Sequence, residues 1–140
     1  LAGQLGATVV VDAAKDSVVA RASALAPGAT LVLFENTGAP GMLHRTVLEA
    51  PAGTQVVVTG IAAGDESFIP MVAISKELLF RFVIYYSAAE FAEALELIRS
   101  GQINWRPLIT GRVGLDGVTQ AFADLSDPER HAKILIDPWA

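Results

Sequence analysis

The stretch Gly53-Thr-Gln-Val-Val-Val-Thr-Gly-Ile61 decides the fold. Three consecutive valines flanked by Thr suit a strand buried on both faces. β-branched side chains fit a pleated sheet, and a strand covered by helices on both sides need not alternate apolar with polar. At Gly60 another backbone can come close. The stretch reads as a central strand of a parallel sheet whose end borders a ligand crevice.

Working outward, strands and helices alternate. Thr8 to Val11 reads as a short buried strand. Asp16 to Leu25 reads as a helix, capped by Asp16 or Ser17 and stopped by Ala26-Pro-Gly28. Ala29 to Glu35 is the next strand, left through Asn36-Thr37-Gly38, and Met42 to Glu49 is a short helix. After Ile61 comes a polar loop in which Asp65 and Glu66 read as solvated carboxylates. Pro70 to Ser75 forms one helical turn, and Leu78 to Tyr86 a long apolar strand.

Ser87-Ala-Ala-Glu90 fits a capping box, in which hydroxyl and carboxylate satisfy reciprocal backbone donors. Phe91, Ala94, Leu95 and Ile98 then share one face, expected to be buried, and Gly101 ends the helix. Alternation of this kind implies right-handed βαβ units on a parallel sheet. Past Gly101 the pattern changes. Ile103 to Val113 reads as extended chain, and Asp116 to Leu125 as a capped helix with Val118, Ala121, Phe122 and Leu125 inward. Ser126-Asp-Pro-Glu129 reads as a turn and Ala132 to Ile136 as a last strand. A domain boundary is expected near residue 101, separating 1–101 from 102–140.

Composition narrows the classes of function. A chain of 140 residues, 52% hydrophobic and 18% charged, is globular and long enough for one real core. A net charge of −5 without a basic patch argues against nucleic acid. The absence of cysteine removes thiolate metal sites and a cysteine nucleophile. No apolar run approaches the roughly 20 residues of a spanning helix. Leu1-Ala-Gly-Gln-Leu-Gly6 reads as the last turns of a helix closed by Gly6, so the chain is expected to begin inside an element.

Ligands of open α/β sheets bind beyond the carboxyl ends of the strands. Here those ends are Asp12, Asn36-Thr37-Gly38, Thr59-Gly60-Ile61 and Ile84-Tyr85-Tyr86. Gly38 and Gly60 read either as turn residues or as points of close approach. Neither a G-x-G-x-x-G turn nor a G-x-x-x-x-G-K-[ST] loop is present. Gly111, Gly114 and Gly117 read as loop glycines. His44 reads as a surface or half-buried side chain. Arg130-His131-Ala132-Lys133 is a basic cluster equally suited to a phosphate or to a solvated turn. No catalytic group and no metal-ligand set emerges.

An ordered set of stretches carries a resemblance. Phe34-Glu-Asn-Thr-Gly-Ala39, Gly53 to Ile61 and Ser75-Lys-Glu-Leu-Leu79 resemble the second half of a medium-chain, zinc-type alcohol dehydrogenase, nearest to the sorbitol, butanediol and threonine dehydrogenases. Glu96 to Ile103, Pro107 to Thr110, Ala121-Phe122 and Asp127 to Pro138 resemble that family's C-terminus, in the same order. The resemblance implies an α/β fold: the second half of a Rossmann doubly wound parallel sheet, then a C-terminal segment returning to the catalytic domain.

Matched by position, it implies that Thr37 and Gly38 lie near the adenosine–ribose side of NAD or NADP. Thr59, Gly60 and Ile61 pack along the nicotinamide, Ile84 and Tyr85 offer backbone to the carboxamide, and Lys133 reaches the pyrophosphate. Asn36 departs from the family, whose members often carry a small or sulfur-bearing residue there. The implied reaction moves hydride between an alcohol or polyol and NAD(P), with zinc in the intact enzyme. The zinc ligands and the glycine-rich turn belong to an N-terminal part of the family outside this chain. The chain alone is thus expected to supply one wall of the cofactor site, with no catalytic residue, and to be inactive. A cytoplasmic homodimer or homotetramer is implied, without membrane or nucleic-acid partners. Two rival readings are a zinc-independent quinone or enoyl reductase relative and a non-catalytic α/β binding module.

Overall fold

The computed structural model describes residues 1–127 and 130–140. By contacts the chain divides into two compact units, Val11–Tyr85 and Leu1–Val10 with Tyr86–Ala140.

The first unit is built on a three-stranded parallel sheet in the order β1 (Val32–Glu35), β2 (Gln55–Val58), β3 (Leu79–Phe82). Sequential order is that of the second half of a Rossmann sheet, so the expected fold class is borne out. Between the strands run α2 (Met42–Glu49) and α3 (Pro70–Ser75), and before them α1 (Val18–Leu25). Val56 and Val58 point to one face of the sheet, where Leu43 of α2 seals them and Phe68 and Phe80 complete the core. Phe68 and Phe80 stack with ring centroids 5.7 Å apart.

The expectation that β2 is buried on both faces is corrected. Both crossovers step in the same direction along the sheet, and right-handed crossovers then put both helices on one side. Val57 on the other face is only half-buried, and its neighbour Phe34 is 64% exposed.

The remaining strands are shorter than expected. Thr8–Val11 is not a strand, because a strand needs a ladder partner and none pairs with it among the described residues. β1 begins at Val32 rather than Ala29. β3 ends at Phe82, because β2 beside it is only four residues long. One more bond, Val83 N to Val58 O at 2.9 Å, extends the pairing.

In the second unit, α4 (Ala88–Arg99) carries the expected capping box between Ser87 and Glu90. Its apolar face is not buried: Phe91 is 51% exposed. Periodicity says which side chains share a face and is silent on what covers them. The extended chain expected at 103–113 contains a 3-10 turn, Arg106–Leu108, and then β4 (Gly111–Val113). β4 pairs in parallel with β5 (Ile134–Ile136). Between them a 3-10 turn, Leu115–Gly117, leads into α5 (Val118–Asp124). No side chain caps α5. Ala121 faces inward as expected, whereas Phe122 and Leu125 are exposed. The turn expected at Ser126-Asp-Pro-Glu129 lies partly outside the described residues.

Candidate functional site

At the carboxyl ends of β1 and β2 two loops meet backbone to backbone. The main-chain oxygen of Glu35 accepts hydrogen bonds from Thr59 N and Gly60 N, both at 2.9 Å. A Cβ added to Gly38 would stand 2.5 Å from Ile61 O and 2.6 Å from Ile61 C, and Gly38 itself has φ +62°. A Cβ on Gly60 would overlap Glu35 Oε2 and Gly38 N. Both glycines are therefore points of close approach, and Gly38 alone of the two also takes the left-handed backbone of a turn. The Thr59 hydroxyl donates to Asn36 Oδ1 across the same gap.

Glu35 organises the turn after β1. Its Oε1 accepts from Thr37 N at 2.8 Å, Thr37 Oγ1 at 2.5 Å and Gly38 N at 3.0 Å. Burial pushes its carboxyl up, but the hydrogen bonds from Thr37 and Gly38 together outweigh this and hold it below the ordinary glutamate value.

A pocket of about 230 Å³ opens here, lined by Glu35, Gly38, Leu43, Gly60, Glu66 and Phe82 among others. A larger cleft of about 430 Å³, bordered by α1, β1 and α2, reaches Asn36 and Thr37. Glu66, expected to be merely solvated, instead occupies the N-terminal end of α2. Its carboxylate accepts from Gly41 N at 2.7 Å and Leu43 N at 3.4 Å. A negative charge there complements the helix dipole.

Of the residues singled out in the sequence, Thr37, Gly38, Thr59, Gly60 and Ile61 come together at these loops. Ile84 and Tyr85 follow the end of β3 with exposed side chains, outside the lining of either cavity. Lys133 belongs to the second unit, where its main chain pairs with Thr110 (N–H of Thr110 to Lys133 O, 2.9 Å) and its side chain is exposed. In the basic cluster around it, Arg130 is paired with Asp124 at 2.8 Å, and His131 Nδ1 lies 3.2 Å from Thr110 Oγ1. His44 is half-buried on α2, as expected. Glu35 and Glu66 were not singled out as site residues. The available signal for Glu35 was an acidic residue closing an apolar strand just before Asn-Thr-Gly.

Residues 1–100 match the family model described as zinc-binding dehydrogenase. The chain belongs to this family. It is 31% identical over 130 residues to a probable D-xylulose reductase A of Aspergillus clavatus, covering 89% of this chain and 36% of that protein. It is 28% identical to (R,R)-butanediol dehydrogenase of Bacillus subtilis over 98% of this chain and 40% of that one. The crystal structure of 2R,3R-butanediol dehydrogenase from Bacillus subtilis superposes with a TM-score of 0.79, at 28% identity, over 98% of this chain and 40% of that one. The chain thus spans about two fifths of the length of the curated relatives it matches.

The resemblance to zinc-type alcohol dehydrogenases is borne out. Within this dehydrogenase-family chain, no group of three or more His, Cys, Asp or Glu side chains among the described residues could hold a metal. Zinc does not fit the described residues. No helix among the described residues is long and apolar enough to cross a membrane.

Proposed function

We propose that this chain forms one wall of the NAD(P) site of an alcohol or polyol dehydrogenase. The observation that carries the reading is the contact of two strand-end loops, Gly38 on Ile61 and Gly60 on Gly38, in a chain of the zinc-binding dehydrogenase family. Such a contact leaves main chain, without intervening side chains, at the place where an open α/β sheet receives its ligand. In this reading Thr37 and Gly38 border the adenosine–ribose side, and Thr59, Gly60 and Ile61 pack along the nicotinamide. Ile84 and Tyr85 present backbone to the carboxamide. Bound nicotinamide supplies the hydride acceptor or donor. The residues of this chain orient the ring and exclude water from one side; none of them carries a proton in the reaction.

The zinc of the proposed enzyme is held by residues other than these. We assign residues 1–101 to the nucleotide-binding domain and 102–140 to a segment of the catalytic domain. The family match ending at residue 100 supports that division. A cytoplasmic homodimer or homotetramer acting on a small alcohol or polyol completes the proposal.

The test is a titration of the full-length protein with NADH and NADPH, followed by an alcohol and polyol panel with and without a zinc chelator. Oxidation of at least one alcohol, abolished by chelation and restored by zinc, is the expected result. Activity indifferent to chelator, with quinones or enoyl substrates preferred, would favour the zinc-independent relative instead.

A further inference from the structure

Both lips of the crevice hang on one residue. The main-chain oxygen of Glu35 holds the β2 lip through Thr59 N and Gly60 N. Its Oε1 holds the β1 lip through Thr37 N, Thr37 Oγ1 and Gly38 N. Its Oε2 lies against Gly60, where a Cβ would overlap it, and receives no hydrogen bond from a protein group among the described residues. Glu35 is only 7% exposed, and it lines both the smaller pocket and the larger cleft.

A buried carboxylate is an expensive way to build a turn. Taking a charge out of water costs several kcal/mol unless hydrogen bonds answer it. Here no cation answers it: no ion pair to Glu35 exists among the described residues. The nearby charges are committed elsewhere. Arg45 pairs with Glu49 at 2.7 Å, and Glu66 serves the amides of Gly41 and Leu43. The charge of Glu35 is therefore held by the neutral donors of the β1 lip, and those donors are held by the charge. Charge-assisted hydrogen bonds are roughly twice as strong as neutral ones, so this arrangement stiffens the β1 lip beyond what a Thr-Gly turn achieves alone.

The geometry points to Glu35 as the positioning residue of the crevice. Its carboxylate presets Thr37 and Gly38 so that Gly38 seats on the main chain of Ile61, and the crevice meets a nicotinamide dinucleotide already shaped. Glu35 acts through these neighbours and does not touch the dinucleotide. This inference rests on the cofactor reading above.

The test uses E35A and E35Q in the full-length protein. The readouts are NADH and NADPH dissociation constants measured well below the melting temperature, the KM of nucleotide and alcohol, and the thermal melt. E35A weakens nucleotide binding on the order of tenfold, the size expected for lost charge-assisted hydrogen bonds. E35Q, which keeps an acceptor at Oε1, recovers part of that loss. The alcohol KM at saturating nucleotide stays within about twofold. A lower melting temperature with unchanged nucleotide affinity in both variants would show Glu35 to be structural only and overturn the inference. Should E35A fail to fold, E35Q alone decides: nucleotide affinity equal to wild type overturns it, and weakened affinity with a native melt upholds it.

If the wild-type protein binds neither nucleotide, the cofactor reading falls, and hydrogen exchange at the Thr37 and Gly38 amides then judges Glu35. Faster exchange in E35A, or in E35Q if only that variant folds, upholds positioning. Unchanged exchange overturns it.

Discussion

Gly38 carries two demands at once. Its φ of +62° is a conformation that a side chain adopts at a cost of roughly 1 kcal/mol or more. Its missing Cβ also leaves room for the main chain of Ile61. Gly38→Ala should therefore destabilise the protein by about 2 kcal/mol or more, because the overlapping atoms are backbone and yield poorly. Urea unfolding of variant and parent measures this, and a loss under about 0.5 kcal/mol would show that the lips separate easily. Glu35 makes the second prediction at this scale. Its folded-state value lies below the ordinary 4.5, so its contribution to stability is fully present above that value and is lost as pH falls through the lowered one. Melting temperature between pH 6 and pH 3 should fall less steeply in E35Q than in wild type. Parallel curves would show that the carboxylate titrates alike in both states.

At the scale of elements, α2 is held at both ends by residues distant in sequence. Glu66 meets its first amides, and Lys76 Nζ donates to Val47 O at 3.0 Å and Leu48 O at 2.7 Å at its last turn. Anion at the start and cation at the end both complement the helix dipole. α1 is tied to α2 by Ser17, whose hydroxyl accepts from Ala20 N at 3.1 Å and donates to Glu49 Oε2 at 2.7 Å. Glu49 is held low first by that hydroxyl and then by Arg45. Ser17→Ala removes both the cap and the tie, and should cost about 1 to 2 kcal/mol, the upper part of the range for an N-cap. Ser87→Ala in α4 removes a cap of the same chemistry that has no partner on another helix among the described residues, and should cost about 1 kcal/mol. Equal losses in the two variants would mean that the Ser17–Glu49 bond adds nothing.

At the scale of the whole molecule, the sheet of the first unit shows one covered face and one with exposed Val32, Phe34 and Leu79. The chain spans about two fifths of its relatives, and the pyrophosphate-binding glycine turn that anchors dinucleotides to a helix N-terminus is absent from its sequence. The 140-residue chain by itself should therefore show no alcohol oxidation and only weak NADH binding. Micromolar affinity by calorimetry would mean that the wall alone recognises the dinucleotide.

The sequence by itself determined the parallel α/β class, because β-branched runs alternating with helical periods allow few other layers. It also determined the bounds of α2 and α3, where Pro and Gly punctuate, and the capping box of α4, which is local chemistry. It marked Gly38 and Gly60 as strand-end glycines without deciding between a turn and a close approach. Only the tertiary structure decided that choice, since the atoms each glycine makes room for lie more than twenty residues away in sequence. The same distance hid Glu66 at the N-terminal end of α2 and the double engagement of Glu35, because a hydrogen-bond partner across the sheet leaves no trace in local periodicity. The expected burial of Phe91 and Phe122 fails for a related reason. Pattern fixes which side chains share a face, and packing alone decides whether that face is covered.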